Sequence, residues 1–269
     1  MNNLHRELAP ISDAAWAEIE EEVARTFKRH LAGRRVVDVV VAESGRTCSA
    51  VGTGHLKPLE SQQEGVIARQ RLVMPLVELR VPFDLTREAI DDVERGSADS
   101  DWQPAKDAAR QLAWAEDRAI FLGYAAAGIE GLREGSANPA LALPASAIEF
   151  PDAIAAALKQ LRLEGVEGPY AAVFSAATYT ALQEASHKGY PVLNHIQRLV
   201  GPENIIWAPA IEGAYVLSLR GGDFELNLGS DLALGYLSHS DAQVRLYLEE
   251  TLTFRLLSPE AVVVLQPGA

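Results

Sequence analysis

Between Gln243 and Leu257 the side chains alternate. Val244, Leu246, Leu248, Leu252, Phe254 and Leu256 fall on one face, and Arg245, Tyr247, Glu249, Thr251, Thr253 and Arg255 on the other. Glu250 alone is out of step. A period of two predicts a half-buried β-strand with one wet face. At roughly 3.4 Å per residue it spans about 44 Å, far longer than the usual strand. A helical period runs from Gln103 to about Leu132, where Ala105, Ala108, Leu112, Ala115, Ala119, Leu122 and Ala126 form a narrow seam widened by Trp114, Ile120, Phe121 and Tyr124. About 28 residues at 1.5 Å each give roughly 42 Å, so helix and strand are expected to pack along one another. The small residues Gly123 and Ala125–Gly128 leave room for another backbone to approach.

In chain order, Ser12 or Asp13 caps a first helix in which Trp16, Ile19, Val23, Phe27 and Leu31 recur at helical spacing up to a stop at Gly33. Its acidic residues come early and its basic ones late, which complements the helix dipole. Arg34–Val41 is rich in β-branched residues and reads as a strand. From Glu43 to Arg80 no helical period survives, and two β-like stretches remain, near Thr47–Lys57 and Val66–Arg80. A two-stranded ribbon is not stable alone in water, and this one carries too many apolar residues for disorder. A neighbouring subunit is its expected support.

A short helix follows over Leu85–Gly96. Asn138-Pro139 and Pro144 mark a switch into shorter alternating elements: helices over Asp152–Leu163, Ser175–Ser186 and Val192–Val200, and strands at Tyr170–Phe174 and Ile205–Trp207. Ala214–Leu219 and Phe224–Leu228 are expected to form a hairpin across Arg220-Gly221-Gly222-Asp223. Leu232–Leu237 returns to pair with the long strand, and Ala261–Leu265 closes the chain as an edge strand. This pattern predicts a compact α/β unit inserted into a first domain.

Composition narrows the function. The chain carries 24 basic against 37 acidic residues, a net charge of −13, which argues against a nucleic-acid or anionic-membrane partner. A single cysteine, Cys48, excludes an intrachain disulfide framework and a cysteine-cluster metal site. No signal peptide and no apolar run of membrane-spanning length is read, so the expectation is a cytoplasmic, soluble chain. The six histidines show no metal-ligand spacing, no serine lies in Gly-x-Ser-x-Gly, and Gly52-Thr53-Gly54 is too short for a dinucleotide fingerprint. No catalytic constellation emerges, and no metal or other cofactor is expected.

Several stretches resemble the encapsulins, bacterial nanocompartment shell proteins also described as linocin-type bacteriocins. They are Asn3–Pro10 with Ala15–Ile19, Gly33–Asp38, Asp92–Gly96, Glu116–Phe121, Glu167–Tyr170, Arg220–Phe224, Leu234–Tyr236 and Glu250–Phe254. The resemblance, to family 1 encapsulins, covers nearly the whole chain in order. It implies an α+β, HK97-type major capsid fold with peripheral domain, extended loop and inserted axial domain. The expected segments are 1–42 for the lumen-facing helix and start of the peripheral domain, 43–80 for the extended loop, 81–138 for the peripheral domain with its spine helix, 139–228 for the axial domain and 229–269 for the peripheral sheet.

The resemblance further implies self-assembly into an icosahedral shell, expected to be T=1, with pores that pass small solutes. Cargo such as a dye-decolorising peroxidase or a ferritin-like protein would be held by C-terminal targeting peptides. Peptide-in-groove docking beside the first helix would use Phe27 and Leu31 as groove wall, with Arg34 and Asp38 fixing the peptide. The same four residues also read as ordinary core and a surface pair. His187, Lys188, Gly189, Tyr190 and Pro191 match the family's axial pore loop in position, and equally read as a plain connection. Some relatives bind flavin using an aromatic in the short helix after the extended loop. Here that helix offers Arg87, Glu88 and Ile90, so no flavin is expected. A phage capsid protein enclosing DNA and a lytic or proteolytic enzyme remain the alternative readings.

Overall fold

The computed structural model describes residues 3–267. The alternating stretch is one long strand, Gln243–Leu256, at the centre of a four-stranded sheet. It pairs antiparallel with Phe224–His239 on one side and Val77–Thr86 on the other, and Asp38–Val41 adds in parallel outside Phe224–His239. Val244, Leu246 and Leu248 are buried beneath the first helix, Asp13–His30, and the spine helix, Gln103–Phe121. The opposite face is not wet along its length, since Tyr247, Glu249 and Thr253 are buried too. The Arg46 and Arg80 guanidiniums lie 2.5 and 2.7 Å from Glu249, and Arg80 covers the Tyr247 ring at 4.2 Å. The Tyr247 hydroxyl donates to the Asn3 carbonyl at 3.2 Å, so the N-terminal segment and the base of the ribbon roof this face.

The first helix starts as expected, with Ser12 Oγ accepting from the Ala15 amide at 3.3 Å. It stops at Leu31 rather than Gly33, and Gly33–Arg35 forms a 3₁₀ turn, so the following strand begins at Asp38 instead of Arg34. The spine helix is also shorter than its pattern. It ends at Phe121, spanning about 28 Å beside a strand of about 46 Å. Gly123 then turns left-handed (φ 82°), and a Cβ there would stand 2.7 Å from the Gly131 nitrogen and 2.8 Å from the Ile129 carbonyl oxygen. The chain reverses through Ala125–Ala127 into a short helix, Leu132–Gly135. The alanines after residue 122 that extend the helical seam therefore belong to a turn.

The ribbon consists of Ala50–Leu59 paired antiparallel with Ala68–Pro75. The second β-like stretch is broken at Leu76, whose amide donates to the Ser49 carbonyl at 3.0 Å. Past that break, Val77–Thr86 enters the four-stranded sheet.

A second, five-stranded sheet runs in the order Leu141–Leu143, Val262–Pro267, Ala214–Ser218, Tyr170–Phe174, Ile205–Trp207. Helices Phe150–Leu163 and Val192–Val200 contribute to its core. Two expectations change here. Ala214–Ser218 and Phe224–His239 are not a hairpin: the 219–223 segment carries the chain from one sheet to the other. The last strand is not an edge but lies between Leu141–Leu143 and Ala214–Ser218, so the 229–269 segment divides between the two sheets. Val262–Leu265 is an unbroken buried run, the pattern of a strand covered on both faces.

Candidate functional site

The segment after the first helix is held by two adjacent carboxylates of the spine helix. Asp117 accepts from the Ala32 amide at 3.0 Å and the Gly33 amide at 2.8 Å. Burial pushes the Asp117 carboxyl up to about 7 even though these two N–H groups favour its charged form. Gly33 lets the chain approach closely, since a Cβ there would overlap the Ile120 Cδ1 methyl, which would have to move.

At the next residue, the Arg34 guanidinium grips Glu116 through Nε at 2.8 Å and Nη2 at 2.6 Å. It also reaches Asp231 at 2.8 Å and Glu250 at 3.4 Å, and lies over the Phe27 ring at 5.3 Å. Burial works against the charge of Arg34, but Glu116 and Asp231 outweigh it and hold its pKa above the ordinary value. Asp231 is likewise penalised by burial, and Arg34 brings it below the usual carboxylate range. Burial and the neighbouring Glu116 drive Glu250 well above that range. Three carboxyls around one guanidinium are relieved by holding a proton.

The four predicted cargo-contact residues fall in different environments. Phe27 and Leu31 are buried in the core under the first helix. The Arg34 side chain is only 18% exposed and its charge is engaged within the chain. Asp38 alone opens onto a concavity, of about 180 Å³, walled by Val36, Val37, Leu219 and Phe224. Its carboxylate accepts from the Gly222 amide at 2.6 Å, which ties the start of the strand to the crossover between the sheets. Sequence reading missed Glu116, Asp117 and Glu250 as the anchors of this region. The signal was present: Glu250 breaks the strand alternation, and Glu116-Asp117 interrupts the apolar helix.

The loop 187–191 is a tight hairpin between Ser186–His187 and Tyr190–Pro191. Lys188 and Gly189 both take positive φ (51° and 80°), the pattern of a two-residue type I′ turn. Tyr190 packs edge-on against His195 with centroids 5.0 Å apart, and its hydroxyl accepts from Arg198 Nη2 at 2.9 Å. All five residues are exposed.

The ribbon is exposed throughout. No side chain from Ala50 to Pro75 is buried, and Leu56, Val66, Ile67 and Val73 stand half or more in solvent, Ile67 at 80%. Among the described residues no helix is long and apolar enough to cross a membrane, and no group of His, Cys, Asp and Glu is placed to hold a metal ion.

Two sheets, a spine helix and, among the described residues, a ribbon without a buried side chain make up an α+β fold of the HK97 capsid type, as its structural neighbours show. In fold the chain is similar to a virus-like particle from Pyrococcus furiosus, at a TM-score of 0.67 and 17% identity over 93% of this chain and 98% of that one. It is also similar to the capsid of the myovirid phage XM1, at 0.55 and 13% over 87% and 91%. Residues 1–253 match the Linocin_M18 family, described as encapsulating protein for peroxidase. The type 1 encapsulin shell protein of Mycobacterium tuberculosis is 59% identical over 98% of this chain and 99% of its own length. The chain belongs to the type 1 encapsulin shell proteins, a family whose role is structural rather than catalytic.

Proposed function

We propose that copies of this chain close into a T=1 icosahedral shell in the cytoplasm, enclosing a cargo enzyme. The single observation that supports assembly is the ribbon: 26 consecutive residues, Ala50–Pro75, without one buried side chain. Exposed contiguous apolar surface on this scale marks an interaction site, and a head-to-tail contact repeated by rotation closes into a finite assembly. The peroxidase in the family description supports a peroxidase such as a dye-decolorising peroxidase as cargo, and a ferritin-like protein fits the same arrangement. The cargo's C-terminal peptide docks beside the first helix, at the concavity on which Asp38 opens. Asp38 supplies the polar contact, while Phe27, Leu31 and Arg34 do not line that concavity and act from within the chain, holding the segment that precedes Asp38. The exposed hairpin His187–Pro191 lines an axial pore that admits small solutes.

The test is assembly itself. Wild-type protein is expected to sediment as one uniform, megadalton-scale species, and I67E/V73E, with two charges on the ribbon's apolar surface, as subunits or small oligomers with unchanged circular dichroism. Full assembly of the double variant contradicts the ribbon's role.

A further inference from the structure

On a chain of net charge −13, one concavity collects positive charge. Where the last turns of the first helix meet the start of the spine helix, a cavity of about 380 Å³ is lined by Arg25, Arg29, His30, Lys106, Arg110 and Trp207. Two carboxylates offset the four permanent cations. Glu22 lies 2.6 Å from Arg25 and 3.4 Å from Lys106, and Asp107 lies 2.8 Å from Arg110. A third carboxylate, Glu21, also acts on Arg25, so a surplus of one positive charge remains, and Arg29 has no hydrogen-bond or ion-pair partner among the described residues. Clefts lined by one sign of charge focus the field and concentrate the opposite ion.

The aromatic wall is the second, independent feature. Ile205 and Ile206 of their strand are buried, whereas Trp207 at its end is 36% exposed on the rim of this cavity. Its ring lies 6.2 Å from that of His30, tilted by 51°. His30 Nδ1 donates to the Thr26 carbonyl at 2.8 Å, which leaves Nε2 free as a further polar contact. Among the described residues no hydrogen bond or ion pair engages the Arg29 guanidinium, and the Trp207 ring remains partly exposed beside it.

We propose that this cavity binds a small phosphate-bearing anion with a planar ring, a ligand of the nucleotide class. Arg29, Lys106 and Arg25 take the phosphates and Trp207 stacks on the ring. Guanidinium donors match phosphate oxygens in a fork geometry, and indole–base stacking tolerates any ring with a π-face. The cavity is of small-ligand size and walled on both sides by helices, which favours a compact ligand over a polymer.

Equilibrium dialysis of assembled shells, run for a day so that slow entry does not limit it, against ADP, pyrophosphate and adenosine tests this. ADP is expected to saturate one site per chain, at least tenfold more tightly than pyrophosphate or adenosine, and to weaken with salt. R29Q and K106Q are each expected to weaken ADP binding at least tenfold, and W207L to bring ADP to the pyrophosphate level, with electron microscopy confirming intact shells. Should R29Q fail to assemble, K106Q with W207L carries the test. Absence of saturable ADP binding, equal binding of ADP and pyrophosphate, or ADP affinity unchanged in assembled K106Q and W207L shells overturns the proposal.

Discussion

Asp117 shows how one buried carboxyl organises the segment after the first helix. Its pKa of about 7 in the folded chain stands against an ordinary 3.8, because burial disfavours the charge more than two backbone N–H groups favour it. Folding therefore takes up a proton between about pH 4 and 7. The stability contributed by the neutral carboxyl is full below that window, falls as pH rises through it and levels off above. The difference in unfolding midpoint between wild type and D117N is expected to shift across pH 4–7 in the wild type's disfavour as pH rises, and to be flat above pH 8. A pH-independent difference contradicts the assignment. Asp38 behaves differently, being exposed with its one bond to the Gly222 amide replaceable by water. D38A is expected to leave assembly and unfolding unchanged while lowering cargo loading several-fold in co-expression with a tagged cargo. Unchanged loading removes Asp38 from the docking site.

At the scale of elements, the 3₁₀ turn after the first helix approaches the spine helix closely at Gly33. G33A places a methyl where Ile120 Cδ1 already lies, and such overpacking costs about 1–3 kcal/mol. I120V removes that methyl, so G33A/I120V is expected to recover most of the loss in unfolding midpoint. Additive destabilisation contradicts the close approach. Much of this layer is legible in the sequence. The strand Gln243–Leu256 and the first helix follow from their periods and the ribbon from the loss of a helical one, although the strand's second face is covered as well, which its polar residues did not signal. The spine helix was overread to Leu132 because alanines satisfy a helical seam and a turn alike, and only the left-handed Gly123 ends it. The supposed hairpin at 220–223 failed for a related reason: Gly221-Gly222 permits a turn without fixing which sheet each flank joins. The carboxyl cluster about Arg34 lies at residues 116, 231 and 250, a juxtaposition that no local pattern carries.

At the scale of the whole molecule, each of the two larger sheets packs against helices of its own chain, and the ribbon has no buried side chain. Its strands pair only with each other, and Leu56, Val66, Ile67 and Val73 keep half or more of their surface in solvent. Apolar burial contributes roughly 25 cal/mol for each Å² removed from water, so side chains of this kind favour any arrangement that covers them, and on the proposed shell adjacent copies would do so. The Arg46–Glu249 pair ties the segment just before the ribbon to the long strand, and Arg80–Glu249 is a cross-strand pair within the sheet that the ribbon's second strand leads into. The most direct measurement is a cryo-electron microscopy reconstruction of the purified chain. It is expected to show a closed shell with one chain per icosahedral asymmetric unit and with Leu56, Ile67 and Val73 covered by an adjacent copy. A compact monomer, or a shell in which the ribbon lies folded back on its own chain, contradicts the account.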